Sequence, residues 1–230
     1  MPIDVRFVDL GGAEPDAVVV VIDVLRAFTT VPWMLARGAT RLLTVDTPQR
    51  AIGLRRDHLP DALLTGEEGG ARLPGFDLGN SPSEVATMDL AGRTIIHRTA
   101  AGTQGLTRTT GSRLVFAASF VVAGATAQAL TNATPDRVTF VVTGASLGRD
   151  GDEDLACAEL IAARIQGDDP DPAPFLARVR ASDAGRSFVP GEPSWAPPED
   201  LRLACEVDRF AVALPAWPAG SLEAVEIRPV

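Results

Sequence analysis

The sequence contains no lysine: all 21 of its basic residues are arginine. That excludes a Walker A phosphate loop and a Schiff-base mechanism, both of which need an amine. Any anion must be held by guanidinium forks, backbone N–H groups and hydroxyls. Cysteine is almost as scarce. Cys157 and Cys205 are isolated, with neither a CxxC pair nor metal-ligand spacing, and read as reduced core thiols. Positive charge is outweighed, for a net −9, so neither a nucleic-acid stripe nor a polybasic membrane face is expected. No apolar run reaches membrane-spanning length, and "MPIDVRFVDL" lacks the pattern of a signal peptide. A soluble, cytoplasmic protein is expected. Internal repeats and low-complexity tracts are absent too.

What is present suits a globular enzyme. The 230 residues are 46% hydrophobic and 22% charged, enough to bury a large core in one α/β domain covering 1–230. "AVVVVID" (17–23) is a β-branched run with both faces buried, as in the middle of a parallel sheet. Helical "VLRAFTTVPWMLARG" follows, then strand 40–46 and a helix capped by Thr47 with Pro48 in its first position. Further strands are read at "DALLTGE", 93–99, 113–119 and 136–144, interleaved with helices. The alternation predicts a three-layer α/β/α sandwich around a largely parallel or mixed sheet. Residues 168–198 are Pro-rich and read as an excursion or lid within the domain. "DRFAVAL" and "EAVEI" are expected to be late strands at a sheet edge.

In such sheets ligands bind off the carboxyl ends of the strands. Those ends deliver Asp23, Arg26, Thr29 and Thr30; Glu67 and Glu68, then Asp77, Asn80 and Ser81; Thr99, then Gly102 and Thr103; and Glu153 with Asp154. Hard oxygen donors suit Mg²⁺, and helix starts rich in small residues suit an anion. Each feature also has a plainer reading. Asp23 can cap a helix, the Asp77–Ser81 stretch can be an Asx-turn cluster, and acids at a helix start complement its dipole. His58 and His97 read as structural.

"VVVVIDVLRAFTT", "TGEEGGARLPGFDLGNSP", "TAAGTQG" and "DEDLACAEL", in that order, resemble the 2-phosphosulfolactate phosphatase family over more than half the chain. The resemblance implies an α/β/α fold, a homodimer, and Mg²⁺-dependent removal of phosphate from a small anionic phosphoester such as 2-phosphosulfolactate, a coenzyme M precursor. Carried over by residue, it implies a metal on Asp23, Glu67 and Asp154. Catalysis falls to Asp23, Arg26 and either Glu153 or Asp77, with Arg26 forked onto the phosphate. Substrate is bound by Thr29, Thr30, Asn80, Ser81, Gly102 and Thr103. The chain departs from the usual pattern at Glu68, at Ala100 and Ala101, and at Gly151 and Asp152. Four alternatives stand beside this reading: a family member with another substrate, an aspartyl-phosphate enzyme, a cysteine hydrolase of the isochorismatase type, which needs a lysine that this chain lacks, and a module that binds an acidic phosphometabolite without turning it over. Leu25 occupies the position where the aspartyl-phosphate enzymes carry a second aspartate.

Overall fold

The computed structural model describes residues 3–191 and 193–230. Its strands are β1 (Asp4–Asp9), β2 (Val18–Ile22), β3 (Arg41–Thr44), β4 (Leu63–Glu68), β5 (Ala71–Arg72), β6 (Thr94–Arg98), β7 (Leu114–Ala118), β8 (Arg137–Val142), β9 (Leu214–Pro218) and β10 (Val225–Ile227). The α-helices are α1 (Ala27–Ala36), α2 (Pro48–Asp57), α3 (Pro82–Val85), α4 (Gly102–Arg108), α5 (Ala123–Ala133), α6 (Asp152–Ile165), α7 (Ala173–Ala181) and α8 (Pro198–Ala204). The architecture is α/β, a mixed sheet with helices in the order of a three-layer α/β/α sandwich.

Local chemistry explains the elements that carry the site. The five residues of β2 are wholly buried, and the strand pairs in parallel with β7 on one side and β8 on the other. Gly105 of α4 lies on it so closely that a Cβ would come within 2.5 Å of Val21 Cγ1. Helix α1 contains Pro32, whose missing N–H leaves the Phe28 carbonyl without its usual helical partner. The Ser119 hydroxyl at the end of β7 donates to that carbonyl at 2.9 Å, so the helix continues through the proline.

The strand order is β1-β8-β2-β7-β9-β10-β3-β6-β4-β5. Strands β1, β8, β2 and β7 form one parallel block, and β3, β6 and β4 form another. Between them the β9–β10 hairpin pairs antiparallel on both sides. The two blocks therefore run in opposite senses, and a flat sheet would put their carboxyl ends on opposite rims. The Gly102 N–H, beyond the end of β6, nevertheless donates to Asp23 at the end of β2. Asp23 at the end of β2 and Glu67 at the end of β4 also line one cleft, so residues from the carboxyl ends of both blocks come together.

Two expectations need correcting. The late strands are the centre of the sheet, not an edge; the edges are β1 and β5. Residues 208–213 form no strand. The Asp208 and Phe210 N–H groups instead donate to the Phe120 and Val121 carbonyls ahead of α5. Strand β1, unread in the sequence, is half-exposed and holds to the core through Phe7 stacked on Phe140 at 5.6 Å.

His97 on β6 is fully buried, with Nδ1 2.6 Å from the Thr65 hydroxyl. Burial drives its imidazole down from 6.5 to about 4. The folded chain stays neutral there while the unfolded chain gains a proton below about pH 6.5. Stability from this residue is intact above that pH and is lost as pH falls toward 4. Between pH 7.5 and 4.5 the loss amounts to about 2–3 kcal/mol. Urea titrations of His97→Gln should show an acid-induced loss smaller by that amount; equal losses in the two proteins would contradict the assignment.

Candidate active site

Asp23, Glu67 and Asn80, from three separate stretches, line one cleft of about 450 Å³. Three of its acids are tied to backbone amides. Asp23 Oδ1 accepts from Ala27 N at 3.0 Å, closing the start of α1, while Oδ2 accepts from Gly102 N at 2.9 Å across the junction of the blocks. Glu67 Oε1 accepts from Ala100 N at 2.7 Å and Oε2 from Gly70 N at 2.8 Å. Asp154 Oδ1 takes Val24 N at 2.7 Å, and its Oδ2 takes Gly144 N at 2.8 Å with the Thr143 hydroxyl at 3.2 Å. A Cβ at position 102 would sit 2.6 Å from Asp23 Oδ2, so the close approach of α4 requires glycine.

This concentration of buried acid has electrostatic consequences. Burial, then repulsion from Glu67, lifts the Asp23 carboxyl from 3.8 to about 6 against the pull of its amide partners. Burial, then Glu153 and Asp23, raises Asp154 well above the carboxylate range. Burial also raises Glu153, which is 1% exposed and whose Oε2 has no partner among the described residues. Asn80 Oδ1 and Arg149 Nε are likewise buried without a partner among the described residues. These uncommitted donors and acceptors suit the cleft to a charged ligand.

The profile of the 2-phosphosulpholactate phosphatase family matches residues 8–187. The chain belongs to this family. Among relatives described as probable 2-phosphosulfolactate phosphatases, that of Deinococcus radiodurans is 42% identical over 64% of this chain and 61% of its own length. That of Bacillus subtilis is 32% identical over 76% of this chain and 75% of its own, and that of Carboxydothermus hydrogenoformans 45% over 56% and 54%. The aligned part thus spans about three fifths of the first of these relatives. Every acid lining the cleft lies inside the family match, whereas Trp195, which lines the cleft, and Asp200, which pairs with Arg26, lie beyond it.

Within the family frame, several residues expected at the site have other partners. Arg26, 4% exposed, lines the cleft, but its Nη1 donates to Asp200 Oδ2 at 2.7 Å and the Trp195 carbonyl at 2.6 Å, and its Nη2 to the Gly70 carbonyl at 2.9 Å. The Phe188 and Trp195 rings flank the guanidinium. Its charge is already answered by Asp200, which a free phosphate clamp would not tolerate. Asp77 is exposed, away from the cleft, and accepts from Arg55 and from Leu64 N at 2.8 Å each, an Asx-type anchor rather than an acid–base group. The Thr29 and Thr30 hydroxyls turn back to the carbonyls of Val24 and Arg26. Thr103 bonds Thr99, and Ser81 caps α3 and donates to Asp200 at 2.8 Å. Gly102 serves Asp23 through its N–H.

Two of the departures from the family pattern, Glu68 and Gly151, are also accounted for. Glu68 lies at the rim, its side chain 69% exposed and 3.5 Å from Arg98, so it adds little charge to the interior. Gly151 has φ +64°, and a Cβ there would meet Ala145 N at 2.4 Å. Sequence reasoning missed Arg149, Asp200, Phe188 and Trp195. Arg149 shares the strand-end loop with acids that were read; nothing in a Pro-rich stretch marks the other three.

Proposed function

We propose that the chain is a Mg²⁺-dependent phosphatase of a small acidic phosphoester, with 2-phosphosulfolactate the first candidate, yielding sulfolactate and phosphate. One observation carries the reading: carboxylates from two opposed strand blocks meet in a single buried cleft that also holds an uncommitted arginine. Burial raises Asp23, Glu153 and Asp154 above the ordinary carboxylate value, and hard oxygen donors fit a divalent ion. Among the described residues no three acidic, histidine or cysteine side chains converge to enclose a metal. The expected set of Asp23, Glu67 and Asp154 therefore reduces to Asp23 and Glu67, a number of carboxylates that Mg²⁺ ordinarily accepts. Asp154, like Asp23 and Glu67, accepts two backbone amides, and it differs from them in also accepting the Thr143 hydroxyl at 3.2 Å. When bound, the ion would supply Lewis-acid polarisation of the phosphoryl oxygens.

The remaining work falls to side chains. Glu153, kept toward its protonated form by burial, gives its proton to the departing alkoxide as the P–O bond breaks and water bonds to phosphorus. The water's surplus proton passes to the carboxylate that Glu153 then is. Asn80 donates to a non-reacting oxygen. Phe188 and Trp195 cover the cleft and keep bulk water out, the role given to the 168–198 segment. The proposal extends, from the family resemblance, to a cytoplasmic homodimer, readable by analytical ultracentrifugation.

The test is phosphate release by the purified chain from 2-phosphosulfolactate and from p-nitrophenyl phosphate, with Mg²⁺ or EDTA. Release that needs Mg²⁺ is expected. Saturable binding of the phosphoester with no release under either condition would make the protein a sensor instead.

A further inference from the structure

We propose that Arg149 is the oxyanion receptor of the cleft, holding an anionic group of the ligand, while Arg26 holds the cover. The inference rests on reading the cleft as a site for an anionic phosphoester. An acid-lined cavity repels such a ligand unless a cation is available to meet it. Two arginines line this one. Arg26 is neutralised by Asp200 and spends both terminal nitrogens on protein acceptors. Arg149 enters no ion pair or hydrogen bond among the described residues, although its charge is felt by Asp23 and Glu153. Its Nε is buried with no acceptor, an N–H that the fold leaves unsatisfied and that a ligand oxygen would satisfy.

A guanidinium presents parallel N–H groups that match two oxygens of a phosphoryl, sulfonate or carboxylate group. Its place in the same cleft as Asp23 and Glu153 would set that group beside the reacting carboxylates. The same chemistry is offered by the phosphoryl group itself and by the second acid of a phosphorylated hydroxy acid, and substrate choice separates them. In p-nitrophenyl phosphate the phosphoryl group is the only anion, whereas 2-phosphosulfolactate carries additional acids.

The experiment compares kcat/KM of the wild type, Arg149→Ala and Arg149→Gln on both esters with Mg²⁺ present. It adds calorimetric binding of inorganic phosphate and of sulfolactate, which need no turnover. A fall of about 100-fold or more on both esters, with phosphate affinity lost, assigns Arg149 to the phosphoryl group. A similar fall confined to 2-phosphosulfolactate, with sulfolactate affinity lost, assigns it to the remote acid. Arg149→Gln, which keeps polarity without the charge or the guanidinium fork, should lose as much as Arg149→Ala. Wild-type rates and affinities in both variants would overturn the proposal. If the wild type hydrolyses neither ester, the phosphatase reading fails alone; anion binding by the wild type and not by the variants would still uphold Arg149.

Discussion

Asp200→Ala is expected to cost about 3–5 kcal/mol of folding stability, because it strands a buried arginine. Asp200 has no exposed surface. Its Oδ2 receives Arg26 Nη1 at 2.7 Å, and its Oδ1 receives Ser81 Oγ at 2.8 Å, Ser83 N at 3.0 Å and Ser83 Oγ at 2.5 Å. One carboxylate thus joins α8, the loop before α3 and the arginine ahead of α1. Without it the Arg26 charge keeps two carbonyls and two aromatic faces, which do not replace an anion at this depth. Gly70, at φ +87° with Trp195 seated where its Cβ would be, would lose the ring packed on it as the cover loosens. Urea denaturation measures the loss. The double variant Arg26→Met/Asp200→Leu removes both charges together and should recover most of it, since apolar replacement of a buried ion pair is often neutral or better. A loss under about 1 kcal/mol for Asp200→Ala would show that water reaches the pair.

How much of this was legible beforehand follows from how far apart the interacting residues lie. The β-branched run of β2 and the Thr47–Pro48 start of α2 are local signals, and both elements form where the residues predict them. Asp23 and Glu67 could be picked out because strand ends are where α/β folds place chemistry. The meeting of the two blocks could not, since a β9–β10 hairpin far along the chain sits between blocks the sequence order suggests would be continuous. The partner of Arg26 is hidden for the same reason. An arginine after a strand looks free until Asp200, remote in the chain, is found against it. Thr29, Thr30 and Thr103 show the opposite limit: near a strand end a hydroxyl finds a backbone carbonyl more cheaply than it finds a ligand.

Asp23→Asn should lower kcat/KM by at least about 1,000-fold, some 4 kcal/mol of transition-state stabilisation, while leaving the protein folded. Asp23 is where the two blocks touch, through Ala27 N on one side and Gly102 N on the other. At neutral pH its charge is held in a site that raises its pKa to about 6, so ionisation opposes folding there. The sign follows directly. For a carboxyl raised above 3.8, the folded chain binds more protons than the unfolded one, and stability falls as pH rises from about 4 through about 6. Asparagine removes that burden and turns one amide partner against an NH₂ group, so the two changes offset. The thermal midpoint at pH 7.5 should therefore move by only a few degrees, and the stability decline between pH 4 and 6 should flatten. Loss of activity with a retained midpoint is the signature of a residue kept charged for function against the interest of the fold. Full activity in Asp23→Asn would remove Asp23 from the reaction, and an unfolded variant would reduce it to the structural tie between blocks.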